Sequence, residues 1–242
     1  GSDTYATTLW DWDSWWTCIA IGQADAEEGT GEDSLPYEQG CVLNFLDHMD
    51  ERGKTPILIT NDPFQPEEEM NYNRKNNHKP VLAQHALYTV RKSQDMGWLL
   101  PYMEKLDTFV SYFKKYATHK ETGLAYWEND FAVGVDNEPI IYFRPERSTA
   151  ALYLNCLLYR EELAMAKLWE MAGQEDRAEG WKAEAERLAE NIRKYCWDPR
   201  DQSFYSADIL LQPVEEERWL HHEAPRSWPC LIMRIDTWTN FL

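Results

Sequence analysis

The chain has 242 residues, 43% of them hydrophobic and 27% charged, which is the composition of a folded globular protein. It carries 42 acidic residues against 24 Lys and Arg, and a formal charge of −18 without a basic stripe argues against nucleic-acid binding, which requires neutralised phosphates. The five cysteines form no CxxC pair and no apolar run approaches the ~20 residues of a membrane span, so a disulfide scaffold, a structural zinc site and a membrane protein are not expected.

Helical periodicity begins directly after an aromatic N-terminal segment. Residues 12–21 predict an inner helix, and residues 41–53 predict an outer helix that ends near Gly53. A second pair follows, because residues 81–90 are broadly apolar and predict an inner helix, whereas residues 98–116 carry one apolar stripe and predict an outer helix. Each pair is an inner–outer helical hairpin.

The clearest hairpin lies in the C-terminal half. Residues 149–172 are apolar on nearly all sides, which predicts a buried inner helix with Ser148 as its N-cap and Gly173 just beyond its last turn. Residues 175–196 carry one narrow apolar stripe opposite a charged face, which predicts an outer helix that stops before Pro199.

Three hairpins thus follow one another at intervals of roughly 70 residues, and such a repeat predicts an all-α solenoid or a closed ring. Long loops over residues 53–79, 118–147 and 198–242 follow the three outer helices. Because all three loops lie at the same end of their hairpins, we expect them to cluster on one face. Long loops inside compact domains are usually functional, so this face is the predicted site.

The loops are rich in tryptophan and carboxylates. Several of the 12 Trp lie in polar segments, and flat rings beside carboxylates and amides suit a sugar, whose apolar face stacks while its hydroxyls are hydrogen-bonded. Residues 126–139 hold four carboxylates, two amides and a Trp. A carboxylic acid beside aromatic surface has a raised pKa, as the general acid for a glycosidic oxygen requires. A solvated turn with side-chain-to-backbone hydrogen bonds has the same composition, so both interpretations stay open here.

Polar residues also mark the starts of the first two inner helices. Asp13 follows Trp12 at the mouth of the first one, where its carboxylate can cap the backbone or receive sugar hydroxyls. Lys79 and Gln84 lie where the second one begins, and Lys79 can bind a hydroxyl or a carboxylate or simply be solvated. Residues 221–223 (His-His-Glu) lack the spacing of a zinc-binding HExxH helix, so no metal is predicted.

At these residues the chain resembles the (α/α)6-barrel glycoside hydrolases of family 63 and their relatives, which include trehalase and mannosylglycerate hydrolase. The matching segments follow the family order over nearly the whole chain, and they are Trp10-Asp11-Trp12-Asp13-Ser14-Trp15, Asn77-His78-Lys79-Pro80-Val81-Leu82-Ala83, Gly134-Val135-Asp136-Asn137-Glu138-Pro139, Trp197-Asp198-Pro199 with Phe204-Tyr205, and Asp236-Thr237-Trp238-Thr239-Asn240-Phe241-Leu242. The segment at Gly134 lacks the Glu-Ser that precedes it in the trehalase pattern, which weakens a trehalase assignment.

The resemblance implies roles for individual residues. It assigns the general acid to Asp136 and places Trp12 and Asp13 in the pocket for the non-reducing sugar. Four further residues are expected to shape this pocket: Lys79, Gln84, Trp127 and Asn137. Family members invert the anomeric centre, so a Glu in the C-terminal part of the barrel activates a water between two carboxyl groups roughly 6.5–9.5 Å apart.

The resemblance also implies a domain organisation. Residues 1–242 are expected to form one domain, an incomplete (α/α)6 toroid that holds about half of the barrel. No residue of this chain matches the motif of the general base, so the segment alone is expected to be inactive. A half-barrel exposes apolar inner-helix edges, and the expected partner for them is the remaining C-terminal half of the barrel.

We therefore expect an inverting α-glucosidase-type hydrolase that acts at the non-reducing end of an oligosaccharide. Acid–base chemistry on an acetal needs only carboxylates, so no cofactor is expected. One alternative is a mannosylglycerate- or glucosylglycerate-type hydrolase, whose charged substrate requires cations such as Lys79, Arg144 or Arg147. The other alternative is a non-catalytic sugar-binding toroid. The free cysteines are compatible with the cytoplasm or the periplasm.

Overall fold

The computed structural model of the chain describes residues 7–29, 34–61, 73–135, 138–142 and 144–209. Within these ranges the helices are α1 (Asp11–Glu28), α2 (Leu35–Asp47), α3 (Leu82–Ser93), α4 (Met103–Tyr116), α5 (Pro139–Tyr142), α6 (Leu152–Met171) and α7 (Glu175–Cys196). The strands are β1 (Thr8–Trp10), β2 (Leu58–Thr60), β3 (Thr149–Ala150), β4 (Trp197–Asp198), β5 (Ser203–Phe204) and β6 (Ala207–Asp208). No helix of this part of the chain combines the length and the hydropathy that a membrane crossing needs.

The C-terminal hairpin follows the sequence pattern closely. Helix α7 has the predicted bounds, and Gly173 has the predicted left-handed conformation (φ 73°) directly after α6. The N–H groups of Gly173 and Gln174 donate to the carbonyls of Glu170 and Trp169, which closes the last turn of α6 in a Schellman motif. The hairpin is therefore encoded locally, by periodicity and one glycine.

The prediction of Ser148 as the N-cap of α6 is wrong. Thr149 and Ala150 form strand β3, so the helix begins at Leu152, and the Ser148 hydroxyl donates to the carbonyl of Pro145 instead. The N–H of Leu152 finds its acceptor in the hydroxyl of Ser206, which the returning loop supplies. A partner from a distant part of the chain therefore replaces the local cap.

The first hairpin differs from its prediction at several points, and α1 continues to Glu28, seven residues beyond its predicted end. Helix α2 begins earlier than residue 41, with a proline in its first turn, and it ends before Gly53. Gly53 (φ 93°) forms a turn whose α-carbon packs against the backbone of Thr108, where a Cβ would approach the carbonyl carbon to 2.8 Å. Helix α1 is packed on one side only, and its residues Trp16 and Ile21 are exposed.

Helix α3 lies at the centre of the described residues and packs against α1, α2, α4 and α6. Its N-terminal N–H groups are capped by a carboxylate from another helix: Glu161 of α6 accepts from the N–H groups of Ala83 at 2.5 Å and Gln84 at 3.1 Å. Burial raises the pKa of Glu161 to about 7, although these hydrogen bonds favour its charged form. The start of α3 is thus fixed by tertiary contact.

One carboxylate joins the inner helix α6 to the outer helices α4 and α7. Oδ2 of Asp107 on α4 accepts from the indole N–H of Trp169 on α6 at 2.7 Å and from that of Trp181 on α7 at 2.9 Å. Arg177 donates to the same oxygen at 3.1 Å, and its guanidinium lies 3.5 Å from the centroid of the Trp169 ring. One carboxylate therefore satisfies two indole groups that the apolar packing would otherwise leave without an acceptor.

Replacing Asp107 by Ala is expected to lower the free energy of unfolding by about 2–4 kcal/mol, because two indole N–H groups and a guanidinium lose their acceptor. Urea denaturation measures the loss. Glu104→Ala is the matched control: Glu104 lies one turn earlier on α4, pairs with Arg177 and is 75% exposed, so its loss should be below about 1 kcal/mol. Equal losses for the two variants would contradict this role of Asp107.

Glu162 is a buried carboxyl whose Oε2 finds no partner among the described residues. It lies on α6 with an exposure of 6%, and burial, together with the charge of Glu184, raises its pKa to about 8. The other charges that act on it are those of Lys114, Arg187 and Glu161. The folded protein therefore holds Glu162 protonated at neutral pH, whereas the unfolded chain ionises it near 4.5.

This shift gives stability a defined pH dependence. Since the folded pKa of Glu162 lies above the unfolded value, its stabilising contribution is complete below about pH 4.5 and is lost as the pH rises towards 8. Glu162→Gln is therefore expected to match the wild type at pH 5 and to melt at a higher temperature at pH 9. Glu190→Gln, which changes an exposed residue of α7, is the control and should melt at the wild-type temperature at both pH values. A Glu162→Gln protein whose melting temperature follows the wild-type pH dependence would contradict the assignment.

Candidate functional site

The described parts of the three long loops meet on one face, which we call the loop face, as the sequence predicts. Strand β2 pairs antiparallel with β1, directly before α1, and β6 pairs antiparallel with β3, directly before α6. Lys75 donates to Glu146 at 2.7 Å, and Arg144 is paired with Asp208. Each loop is therefore tied to another loop or to the start of an inner helix.

A fully buried ion pair joins the starts of α1 and α3. The Nζ atom of Lys79 lies 3.0 Å and 3.1 Å from the two carboxylate oxygens of Asp11, and the Lys79 N–H donates to Oδ2 at 2.9 Å. The exposed fractions of the two side chains are 2% and 0%. Three hydrogen bonds compensate part of the cost of removing both charges from water.

Trp12 covers this ion pair. The Nζ atom of Lys79 lies 4.9 Å from the centroid of the Trp12 ring, within the range of a cation–π contact. The turn at Gly134 packs on both side chains, since a Cβ at this position would lie 2.6 Å from Cε of Lys79 and 2.8 Å from Cζ2 of Trp12. The structure thus brings the first, second and third matching segments of the sequence together.

Asp13 lies beside this group, in the first turn of α1. The N-cap residue of the helix is Trp10, whose side chain makes no capping hydrogen bond. Asp13 is exposed, yet partial burial and the negative charge of Asp11 raise its pKa, while Lys79 acts in the opposite direction. An exposed carboxylate next to an aromatic ring can accept hydrogen bonds from sugar hydroxyls.

Trp127 belongs to the core beneath the loop face. It is buried, its ring centroid lies 5.8 Å from that of Tyr153, and its indole N–H has no partner among the described residues. Asn155 holds the neighbouring backbone, because its side chain exchanges hydrogen bonds with both the N–H (2.8 Å) and the carbonyl (2.9 Å) of Ala125. Sequence reasoning missed Asn155, whose partner is remote in sequence.

Gln84 uses its whole amide inside the protein. Its Nε2 donates to the carbonyls of Pro80 and Leu157 and to the carboxylate of Glu161, and its Oε1 accepts from Arg160. The structure therefore places Gln84 at the contact between α3 and α6. Glu161 also escaped sequence reasoning, since a buried carboxyl in an apolar helix carries no local signal of its role.

The segment that leads into Lys79 is held by a neutral histidine. His78 packs edge-on between Phe45 (4.5 Å between centroids) and Phe109 (5.5 Å), and its Nδ1–H donates to the carbonyl of Lys79 at 2.6 Å. Burial lowers its pKa to about 4, so the ring is uncharged at neutral pH. The backbone at Lys79 is thereby fixed from the core side.

Other predicted residues lie elsewhere or outside the described ranges. Asp136, Asn137 and residues 221–223 are outside them, and the described backbone of the third segment includes Gly134 and Val135. Arg144 and Arg147 are already paired with the carboxylates of Asp208 and Glu128. In the described residues, no three His, Cys, Asp or Glu side chains are grouped closely enough to hold a metal ion.

Replacing Asp11 by Asn leaves the Lys79 ammonium buried without a counter-charge, and we expect the free energy of unfolding to fall by about 3–5 kcal/mol. The double variant Asp11→Asn/Lys79→Met removes both charges and should lose less than the single variant. Urea denaturation of both proteins tests this. Glu146→Ala, which breaks an exposed ion pair with Lys75, is the control and should cost under about 1 kcal/mol. A double variant less stable than Asp11→Asn would contradict the expectation.

Comparison with known proteins identifies the family and the fold of the chain. Residues 6–221 match the family model described as mannosylglycerate hydrolase MGH1-like glycoside hydrolase domain. No curated protein matches the sequence. Among solved structures, an uncharacterized conserved protein from Thermus thermophilus is similar with a TM-score of 0.62 and 17% identity, over 85% of this chain and 61% of that chain.

A GH63 mannosylglycerate hydrolase from Thermus thermophilus, solved in complex with glucose, is similar with a TM-score of 0.59 and 18% identity, over 84% of this chain and 60% of that chain. At this identity the likeness shows the fold, and it confirms the predicted all-α architecture of helical-barrel hairpins. The chain spans about three fifths of the length of these two proteins.

Proposed function

The chain belongs to the MGH1-like glycoside hydrolase domain family, and we propose that it supplies the acid side of a site that hydrolyses an α-glycosidic bond. The observation that carries the proposal is the convergence of Trp12, Lys79 and Gly134 beside the exposed carboxylate of Asp13. An aromatic ring next to a carboxylate, at the face where the loops meet, offers a sugar both a stacking surface and a hydrogen-bond acceptor.

Within this proposal, Trp12 and Asp13 contact the non-reducing sugar. Lys79, Gln84 and Trp127 shape the pocket from the side of the core, where the structure describes them, and Asn137 shapes it from the loop that follows Gly134. The proposed general acid is Asp136, two positions after that turn. The Asp136 carboxyl would donate its proton to the oxygen of the leaving group as the glycosidic bond breaks.

The mechanism we propose is inverting. A glutamate outside residues 1–242 would take a proton from a water molecule on the opposite face of the sugar, and this water would attack the anomeric carbon. Residues 1–242 would then form one partial barrel domain that is inactive alone and is completed by further chain. The exposed Trp16 and Ile21 on α1 are apolar surface that such a partner would cover.

The proposed substrate is an oligosaccharide with an α-linked glucose at its non-reducing end. The similar Thermus enzyme was solved in complex with glucose, which supports a glucose-sized pocket in this fold. A glycerate glycoside is the second candidate, because the family description and the same neighbour name mannosylglycerate hydrolase. Against it, the cations at Lys79, Arg144 and Arg147 already face the carboxylates of the protein, which leaves a substrate carboxylate without an evident partner among them.

The first experiment is an assay of the full-length protein that contains this chain. Given α-linked gluco-oligosaccharides, it is expected to release β-glucose first, which proton NMR detects before mutarotation. Asp136→Asn should lower the rate at least about 10²-fold, because the amide has no proton to donate to the leaving oxygen. Mannosylglycerate and glucosylglycerate belong in the same panel.

The controls separate the candidates. Asp130→Asn changes a neighbouring carboxylate of the same loop and should retain most of the activity. Prompt release of α-glucose would overturn the inverting mechanism, and an active Asp136→Asn protein would overturn the assignment of the acid. Turnover of the glycerates alone would favour the second candidate, whereas sugar binding without any turnover would identify a non-catalytic toroid.

A further inference from the structure

We infer that Lys79 is a positioning residue of this site: paired with Asp11, its buried ammonium fixes the ring of Trp12 against the Gly134 turn. The inference rests on the proposed function, in which the ring of Trp12 is the surface on which the sugar stacks, here called the sugar platform. It assigns Lys79 a role behind this ring in place of a contact with the sugar. It predicts that Lys79 affects sugar binding only through the position of the Trp12 ring.

The ammonium has no access to a ligand in this arrangement. With 2% of its side chain exposed, Lys79 lies beneath Trp12, and its Nζ donates to both oxygens of Asp11. Moving it to the surface would leave the Asp11 carboxylate buried without a counter-charge, which is among the costliest changes in a protein interior. The pair therefore stays in place when a sugar binds.

Trp12 is held from behind by this cation. The ring is half-buried and Nζ lies 4.9 Å from its centroid, in a region where little water screens the contact. Trp12 is also part of α1, whose first residue is Asp11. The same carboxylate thus fixes the helix start from which the ring projects and the cation on which the ring lies.

Gly134 completes the group. Its φ of 74° is left-handed, and a Cβ would meet both Lys79 (2.6 Å) and Trp12 (2.8 Å). Neither neighbour can retreat easily, because Lys79 is hydrogen-bonded to Asp11 and Trp12 packs on Lys79. The turn that leads to the proposed acid is therefore seated on the sugar platform itself, and Lys79 links the two.

A spectroscopic experiment tests this independently of turnover. The full-length protein is labelled with 5-fluorotryptophan, and Trp12→Phe assigns the Trp12 resonance in the fluorine NMR spectrum. The double variant Asp11→Asn/Lys79→Met removes the cation without leaving a buried charge, and it should shift and broaden the Trp12 resonance. Lys75→Met, an exposed lysine of the same segment, is the matched control and should leave it unchanged.

The kinetic arm separates positioning from a general structural role. In the double variant KM for the oligosaccharide should rise about tenfold, because sugar binding must then order a Trp12 ring that the cation no longer holds, while kcat falls less. Gly134→Ala should shift the same Trp12 resonance and lower kcat as well, because it moves the turn that leads to the acid. It lies in a loop, so it provides the test if the double variant does not fold.

A folded variant, double or Gly134→Ala, with an unchanged Trp12 resonance would overturn the inference. So would a double variant whose kcat falls while KM stays at the wild-type value. Wild-type protein without turnover on any glycoside would overturn the proposed function instead, and the fluorine spectra would still decide whether Lys79 positions Trp12.

Discussion

The buried ion pair between Asp11 and Lys79 is the constraint on which the loop face depends. A carboxylate and an ammonium with almost no exposure are stable in a protein interior only when each stays within hydrogen-bond reach of the other. Because Asp11 opens α1 and Lys79 lies three residues before the first residue of α3, this requirement fixes how two inner helices begin relative to each other. The Trp12 ring and the Gly134 turn then take their positions from the pair.

The start of α3 shows the same principle with other groups. Its N–H groups are satisfied by Glu161 from α6, and the preceding backbone is held by His78, which burial keeps neutral. Gln84 fills the space between the two helices with an amide that is fully hydrogen-bonded. Buried polar side chains thus set the geometry beneath the site, and another polar side chain, Asp107, joins α4 to α6 and α7.

The difference between local and remote partners explains which features the sequence could predict. Helix α7 and the turn at Gly173 were predictable, because an apolar stripe of 3.6-residue period and a glycine after a helix depend only on residues close in sequence. The local pattern predicts Ser148 as the cap of α6, whereas the true acceptor, Ser206, comes from a loop far along the chain. The sequence around Lys79 is compatible with a solvated side chain, and only the fold shows that it is buried under Trp12. The positions of Asp136 and Asn137 fall outside the described residues and stay predictions.

Asp11 and Lys79 support the ring of Trp12 from the core, and Asp13 lies on the exposed side. Removing either charge alone leaves the other buried and unpaired, so single substitutions at Asp11 or Lys79 combine loss of stability with loss of position. Asp13, two residues after Asp11, is exposed and forms no buried ion pair, so its carboxylate remains available to hydroxyl groups. The two acidic residues that flank Trp12 therefore differ in position: Asp11 is buried against Lys79, whereas Asp13 is exposed, as the proposed contact with a sugar requires.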